Sequence, residues 1–135
     1  KFHTVKIPFK ECEIEVANAR TETYNNKSRK PDTVTFSTIE NDLIRRDFTI
    51  NSFASSIIKD NFGELIDSFD GIKDLNSGII NTPANPDSTF IDDPLRMLRA
   101  IRFSTTLNFT LEDSIKESIK KIRRNTVWYT CWLFN

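Results

Sequence analysis

Two runs near the start of the chain alternate between apolar and polar side chains. They cover residues 5–9 (VKIPF) and 11–17 (ECEIEVA), and the second run places Glu13 and Glu15 on the face opposite its apolar residues. Successive side chains of a strand point to opposite faces of a sheet. The pattern predicts an antiparallel hairpin. Residues 21–33 are polar without an apolar period, which predicts a loop.

Helical spacing follows this loop. Ser37 and Glu40 stand at the separation of a capping box, which predicts a short helix. Apolar residues then recur at i, i+3, i+4, i+7 and i+8 between positions 50 and 58, the spacing of one helix face. We expect an amphipathic helix here, capped by Asp47 or Thr49.

The second half of the chain predicts mostly helices. A brief strand is expected at residues 64–67, followed by a short helix at 70–78 that ends on a glycine. Pro94 suits the first position of a helix, with Asp93 as its cap. A last helix is expected at residues 111–124, with acids at its start and bases at its end.

Composition indicates a globular protein rather than a membrane protein. The chain has 38% hydrophobic and 28% charged residues, and no apolar run approaches the roughly 20 residues of a membrane span. Its formal net charge is zero, so any attraction to nucleic acid must be local. Cys12 and Cys131 are too few for a disulfide scaffold, and without a partner His or Cys nearby they do not make a metal site. We expect a reduced intracellular setting; the compartment and the oligomeric state stay open.

The first candidate site is the segment DLIRRDFTIN. It places Arg45, Arg46 and Asp47 directly before the helix expected at residues 50–58. Free backbone N–H groups at a helix start attract anions, and guanidinium groups can grip phosphate oxygens with two hydrogen bonds. The segment therefore favours a triphosphate site. The alternative from spacing alone is two solvated arginines and a capping aspartate.

The second candidate site is DDPLRMLRAIR, which contains Asp92, Asp93, Arg96 and Arg99. A carboxylate accepts from an exocyclic amino group and an arginine donates to a ring nitrogen, which is the pattern that cytosine and adenine offer. Uracil and guanine present a carbonyl beside an N–H instead. Asp93 and Arg96 could thus select C and A without a template. The alternative is a helix cap followed by an ordinary ion pair.

The third candidate is the acidic face of the second strand. Transfer of a nucleotidyl group uses carboxylates that converge on divalent ions, and Glu13 and Glu15 lie on one strand face. Two glutamates on an edge strand are also typical of a solvated surface.

Several motifs in order carry a resemblance to a known family. They are IEVANARTETY, ENDLIRRDFTINSF, GELIDSFDGIKDL and FIDDPLRMLRAIRF, and together they span nearly all of residues 4–120. This series resembles class II tRNA nucleotidyltransferases, which add CCA to tRNA, and the related bacterial-type poly(A) polymerases. The resemblance implies an α+β fold. Residues 1–83 would be the later part of a polymerase-β-like head with a mixed or antiparallel sheet, and residues 84–135 the start of a helical neck.

The resemblance also assigns roles by position. Glu15 matches a catalytic carboxylate that helps to hold Mg²⁺, and Asp67 with Gly71 matches the start of a hinge between head and neck. The nucleotide-binding residues implied are Arg45, Arg46, Asp47, Asp92, Asp93, Arg96 and Arg99. The reaction implied is addition of nucleotides from CTP and ATP to a tRNA 3′ end.

Two paired aspartates expected in this family before the glutamate motif are absent from the sequence. We therefore expect an incomplete chain that is inactive by itself. Residues 126–135 match nothing in the family, although their aromatic character favours packing against another surface. Poly(A) synthesis on the same scaffold and a non-catalytic RNA-binding relative stay open as alternatives.

Overall fold

The computed structural model describes residues 4–23 and 33–123. They fall into two compact units that divide between Asp42 and Leu43, called unit 1 and unit 2 in chain order. Cys131 and the aromatic segment 126–135 lie outside the described residues, as does the middle of the expected loop. No helix in the described part of the chain is long and apolar enough to cross a membrane.

Unit 1 begins with the predicted hairpin. Strand β1 (Thr4–Pro8) pairs antiparallel with β2 (Glu13–Ala17). The turn between them is closed by a hydrogen bond from the Phe9 N–H to the Cys12 carbonyl, at 2.8 Å. The prediction of a hairpin at this position is confirmed.

The two faces of this hairpin differ in chemistry. Lys6 lies opposite Glu15, and its Nζ donates to Glu13 Oε1 at 2.6 Å, so one face carries a cation among carboxylates. Ile7 lies opposite Ile14 on the other face, and both are exposed. The alternation in the sequence therefore gives a polar and an apolar face.

The prediction of a loop across residues 21–33 is wrong at both ends. Strand β3 (Arg20–Thr23) pairs antiparallel with β4 (Thr33–Phe36), so these ends belong to a second hairpin. The segments RTET and TVTF contain four threonines and one valine, and β-branched residues favour strands although threonine is polar.

The short helix predicted after this hairpin is confirmed as α1 (Ile39–Ile44). Its cap lies one residue later than expected. The Thr38 hydroxyl accepts from the Asn41 N–H at 3.4 Å. Ser37 instead accepts from the Asn41 side-chain amide at 3.0 Å. A hydrogen bond to its own backbone lowers the pKa of the Glu40 carboxyl, and hydrogen bonding with the Thr38 side chain adds a smaller effect in the same direction.

The amphipathic helix predicted at residues 50–58 does not form. The structure has only a 3₁₀ turn at Thr49–Asn51, and Ser52 donates from its hydroxyl to the Phe48 carbonyl at 2.8 Å. Ile50 is 7% exposed, but Ile57 and Ile58 are 85% and 65% exposed, so the apparent stripe does not face one core. Serine and asparagine side chains here offer the backbone local hydrogen bonds that compete with a helix.

A small hairpin occupies the rest of that segment. Strand β5 (Ala54–Ser55) pairs antiparallel with β6 (Leu65–Ile66), which confirms the strand predicted at residues 64–67. A second 3₁₀ turn, Lys59–Asn61, lies between the two strands. Two hydrogen bonds from backbone N–H groups, Ser56 to Glu64 and Gly63 to Ser56, extend the pairing at 2.8 Å each.

The helix predicted at residues 70–78 is confirmed as α2 (Gly71–Ser77). It ends at Gly78, which has a left-handed φ of 66° and donates back to the last turn. Strand β7 (Ile79–Ile80) follows and pairs in parallel with β8 (Thr110–Leu111). This pairing joins positions that are far apart in the chain.

Three helices complete unit 2. They are α3 (Pro86–Asp92), α4 (Leu95–Leu107) and α5 (Asp113–Ile122). The predicted start near Pro94 is confirmed, since its backbone is already helical and α4 begins one residue later. The last helix starts two residues later than predicted because residues 110 and 111 form β8.

The core of unit 2 draws on both sides of residue 83, where the family boundary was expected. That boundary stays a prediction about the domains of the family. The buried core residues are Phe48, Ile50, Ile80, Phe90, Met97, Ala100, Ile115 and Ile122.

Helices α3 and α5 are also joined by polar contacts around Asp87. The Ser118 hydroxyl donates to Asp87 Oδ1 at 2.5 Å, and Lys121 Nζ donates to Oδ2. These contacts lower the pKa of the Asp87 carboxyl, with the hydrogen bond from Lys121 as the larger cause.

Helix α2 and the 3₁₀ turn Thr49–Asn51 approach each other closely. A Cβ placed on Gly71 would lie 2.2 Å from the Thr49 carbonyl oxygen, so only glycine fits at this position. The Thr49 hydroxyl donates to Asp74 Oδ2 at 2.7 Å, and the Thr49 N–H donates to the Asn81 carbonyl at 2.9 Å. The turn is thereby fixed to α2 and to the end of β7.

We expect Gly71→Ala to lower the free energy of unfolding by about 3 kcal/mol, because a methyl group would be forced against backbone atoms. Urea denaturation of the two proteins measures this loss. Gly63→Ala is the control: its Cβ would meet nothing within 4 Å. That variant should lose only about 1 kcal/mol from its positive φ. Equal losses would contradict the close approach.

We expect Thr49→Val to lower the free energy of unfolding by about 1–2 kcal/mol, since the hydrogen bond to Asp74 is lost at a buried position. Thr105→Val is the matched control, because the Thr105 hydroxyl bonds only to the Ile101 carbonyl on the exposed surface of its own helix. Thermal unfolding of both variants checks the difference. A loss no larger than that of the control would show that the contact does not hold the turn.

Candidate functional site

The turn at residues 45–47 fixes a buried carboxylate. The Arg46 N–H donates to the Leu43 carbonyl at 3.2 Å, which turns the chain as α1 ends. Asp47 is buried, and its Oδ1 accepts from the Phe48 N–H at 3.0 Å and from the Asn51 amide at 3.5 Å. Arg46 donates from Nη1 to the Asn51 carbonyl at 3.4 Å.

The predicted anion site at the start of an amphipathic helix is wrong in its physical basis. Only the three-residue 3₁₀ turn Thr49–Asn51 follows Asp47. A single short turn does not align enough peptide dipoles to act as a helix N-terminus. Any attraction for anions must therefore come from guanidinium groups.

Asp93 organises the start of α4. Its Oδ1 accepts from the Leu95 N–H at 3.1 Å, and its carbonyl accepts from the Arg96 N–H at 3.0 Å. These contacts agree with the predicted cap.

Two arginines of α4 contact the turn at residues 45–47. Arg96 donates from Nη2 to the Arg45 carbonyl at 3.0 Å and from Nη1 to the Thr89 carbonyl at 3.5 Å. Arg99 donates from Nε to Asp47 Oδ2 at 2.6 Å. The two segments that the sequence singles out are separated by about fifty positions and are brought together by these contacts.

One open cavity of about 460 Å³ lies between these segments. Four arginines and two aspartates face it, which leaves a surplus of two positive charges and favours an anionic ligand. Its volume falls within the range of small-molecule sites, about 300–1,000 Å³. The lining residues are Arg45, Arg46, Asp47, Ile50, Asn51, Phe53, Asp93, Arg96 and Arg99.

Asp92 does not line this cavity, although it is next to Asp93. It is the last residue of α3 and is exposed overall. Partial desolvation raises the pKa of its carboxyl, and the positive charge of Arg96 opposes this shift. Its contact with the ligand stays a prediction.

Of the two predicted hinge residues, Gly71 begins α2 and Asp67 precedes it in the chain, and neither of them lines the cavity. Asp67 accepts from the Gly71 N–H at 2.8 Å and from the Ile72 N–H at 2.9 Å, one bond for each carboxylate oxygen. Gly71 is buried against Thr49. The structure thus gives both residues a local role in anchoring the helix, and movement about this point stays a prediction.

Glu15 belongs to no cluster of metal ligands within the part of the chain that the structure describes. It lies exposed on β2, opposite Lys6 and on the same face as Glu13. Within residues 4–23 and 33–123, no three His, Cys, Asp or Glu side chains are grouped closely enough to hold an ion. That Glu15 helps to hold a metal ion in the complete gene product stays a prediction.

Three residues of the cavity were not singled out from the sequence: Ile50, Asn51 and Phe53. Asn51 contacts both Asp47 and Arg46, so it supports the charged residues as well as lining the space between them. In the sequence, only its position within DLIRRDFTIN indicated that Asn51 belongs to the site. Phe53 and Ile50 were assigned instead to the apolar face of the helix that does not form.

Comparison with known proteins agrees with the sequence motifs. Residues 1–81 match the family model described as the poly A polymerase head domain. A CCA-adding enzyme of Ligilactobacillus salivarius (strain UCC118) is 45% identical over 108 residues, which is 79% of this chain and 26% of the relative. The chain therefore spans about a quarter of that relative's length.

Solved structures show the same fold. The apo form II of a CCA-adding enzyme superposes with a TM-score of 0.84 at 37% identity, covering 96% of this chain and 30% of that one. A tRNA nucleotidyltransferase complexed with a primer tRNA and an incoming ATP analogue gives 0.79 at 36% identity, covering 93% and 33%. This chain belongs to the family of CCA-adding enzymes and poly(A) polymerases.

Proposed function

We propose that the complete gene product adds CCA to the 3′ end of tRNA from CTP and ATP. In this reaction an RNA 3′ hydroxyl attacks the α-phosphate of the nucleotide and pyrophosphate leaves. The observation that carries the proposal is the positively charged cavity formed by the turn at residues 45–47 and the start of α4. The relative and the first solved structure named above are called CCA-adding enzymes, and the second solved structure is called a tRNA nucleotidyltransferase.

Arg45 and Arg46 would hold the triphosphate. Both line the cavity, and guanidinium groups bind phosphate oxygens strongly because they donate charged hydrogen bonds in a fixed planar geometry. Asp47 would accept a hydrogen bond from a hydroxyl of the nucleotide sugar, because an ionised carboxylate can only accept.

Asp93 and Arg96 would choose the base. Arg96 uses two of its guanidinium nitrogens for backbone carbonyls, and a guanidinium has five N–H donors, so donors remain for a ring nitrogen. A carboxylate has about four acceptor positions, of which the Leu95 N–H takes one at Asp93. An acceptor beside a donor complements the amino and ring nitrogens of cytosine and adenine.

Contact of Asp92 with the nucleotide is part of the same proposal. Mg²⁺ is the ion that we expect the complete gene product to use, with Glu15 as one contributor. Since the described residues hold no cluster of ligands for it, we assign no step of the transfer to a residue acting through the ion.

Poly(A) synthesis is the second candidate function. It is favoured by the description of the matched family, the poly A polymerase head domain. The two activities share the cavity and differ in whether C is accepted and in how many A residues are added.

Incubation of the complete gene product with tRNA that lacks its 3′ CCA should give two C additions followed by one A. Gel electrophoresis with each labelled nucleotide alone and in combination measures the order. Removal of divalent ions with EDTA should abolish incorporation, and Mg²⁺ should restore it. Long A tails with no C would support poly(A) synthesis instead. If the protein neither incorporates nucleotides nor releases pyrophosphate, both candidate functions are contradicted.

Arg96→Ala in the complete gene product should reduce discrimination against UTP and GTP by about tenfold or more, because a donor to the base is lost. The ratio of kcat/KM for CTP and UTP measures this. Arg102→Ala is the matched control: it removes a charge from the same helix at a position that does not line the cavity. Thermal unfolding of both variants separates loss of selectivity from loss of folding. Unchanged selectivity in the Arg96 variant would refute the base-reading role.

A further inference from the structure

The carboxylate of Asp47 is oriented from two sides. Backbone and side-chain donors of its own segment, the Phe48 N–H and the Asn51 amide, bind Oδ1 at 3.0 and 3.5 Å. Arg99, which is 52 positions away, binds Oδ2 at 2.6 Å. The Asp47 side chain is 10% exposed, so water screens this ion pair poorly on the aspartate side.

Arg99 is itself held in place by an aromatic ring. Its guanidinium carbon lies 5.3 Å from the centroid of Phe103, a distance at which cation and ring attract each other. Phe103 packs edge to face against Phe48, with centroids 5.7 Å apart. Because Phe48 directly follows Asp47, the contacts form a closed circuit from the aspartate through Arg99 and two rings back to the aspartate's neighbour.

We propose that Arg99 is a positioning residue, which acts on the nucleotide through Asp47 and not by direct contact with phosphate. This inference rests on the proposed function. It differs from the role that the family resemblance implies for Arg99, which is direct nucleotide binding.

The geometry gives two reasons. The Nε of Arg99 is engaged by the carboxylate at short distance, so much of its positive charge is already compensated. The guanidinium is also placed over Phe103, which restricts the orientations it can adopt toward a ligand. Arg45 and Arg46 line the same cavity on the turn itself and supply cationic groups for the phosphates.

A double-mutant cycle in the complete gene product tests this proposal. Arg99→Gln should raise KM for CTP and for ATP by about tenfold, with the same factor for both, because a charged hydrogen bond to Asp47 is lost and Asp47 does not read the base. In an Asp47→Asn background the same change should alter KM by less than about twofold, since residues that act as one unit are not additive. The selectivity against UTP should stay as in the wild type.

Arg102→Gln provides the matched control. Arg102 also lies 5.3 Å from the Phe103 centroid, but it does not line the cavity. This variant should keep KM within about twofold of the wild type. A rise in KM equal to that of Arg99→Gln would show that the effect comes from packing on the Phe103 ring, which overturns the proposal. Arg99→Lys, which keeps the positive charge, is the second variant for the case in which Arg99→Gln folds poorly. Its KM should return part of the way to the wild-type value.

The outcomes separate this inference from the proposed function. Wild-type protein that adds no nucleotide would overturn the proposed function and the positioning role with it. If the wild type is active and Arg99→Gln raises KM by the same factor with Asp47 and with Asn at position 47, the positioning role alone is overturned. Arg99 would then contact the nucleotide independently of Asp47. A rise in KM on Arg99→Gln only in the protein that retains Asp47 supports the proposal.

Discussion

The hydrogen bond from Arg96 to the Arg45 carbonyl is the contact on which the candidate site depends. It joins the start of α4 to a turn 51 positions earlier, at 3.0 Å. The neighbouring ion pair between Arg99 and Asp47 joins the same two segments. Phe48 and Phe103 also pack these segments together, so the two polar contacts set how the charged side chains of the turn face those of α4 across the cavity.

Locally encoded features of this fold were predictable. Gly78 ends α2 in the left-handed conformation that glycine adopts at little cost, and Asp93 with Pro94 marks the start of α4. The alternation in residues 5–17 likewise defines a hairpin. Each of these signals depends on a few adjacent residues, so tertiary packing did not need to be known. The ordered motifs also identified the charged residues of the cavity, but they did not predict which of these residues contact each other.

Features that depend on tertiary packing were not predictable in the same way. The spacing of residues 50–58 matches a helix, but whether such a stripe is buried depends on what faces it. Ile57 and Ile58 meet solvent while Ile50 meets the core. The error extended to the site, because the anion site was argued from a helix that does not form. Cavity residues such as Asn51 and Phe53 could be recognised only once the turn and α4 were seen together.

Hydrogen–deuterium exchange of the complete gene product, measured with and without CTP, tests most directly whether this cavity holds the nucleotide. The account predicts slower exchange in peptides that cover residues 45–51 and 93–99 when CTP or ATP is added, and a smaller effect with UTP at equal concentration. Peptides that cover the small hairpin of β5 and β6 should be unaffected. Equal protection by all three nucleotides would contradict base choice by Asp93 and Arg96, and protection only outside the two segments would contradict the site itself.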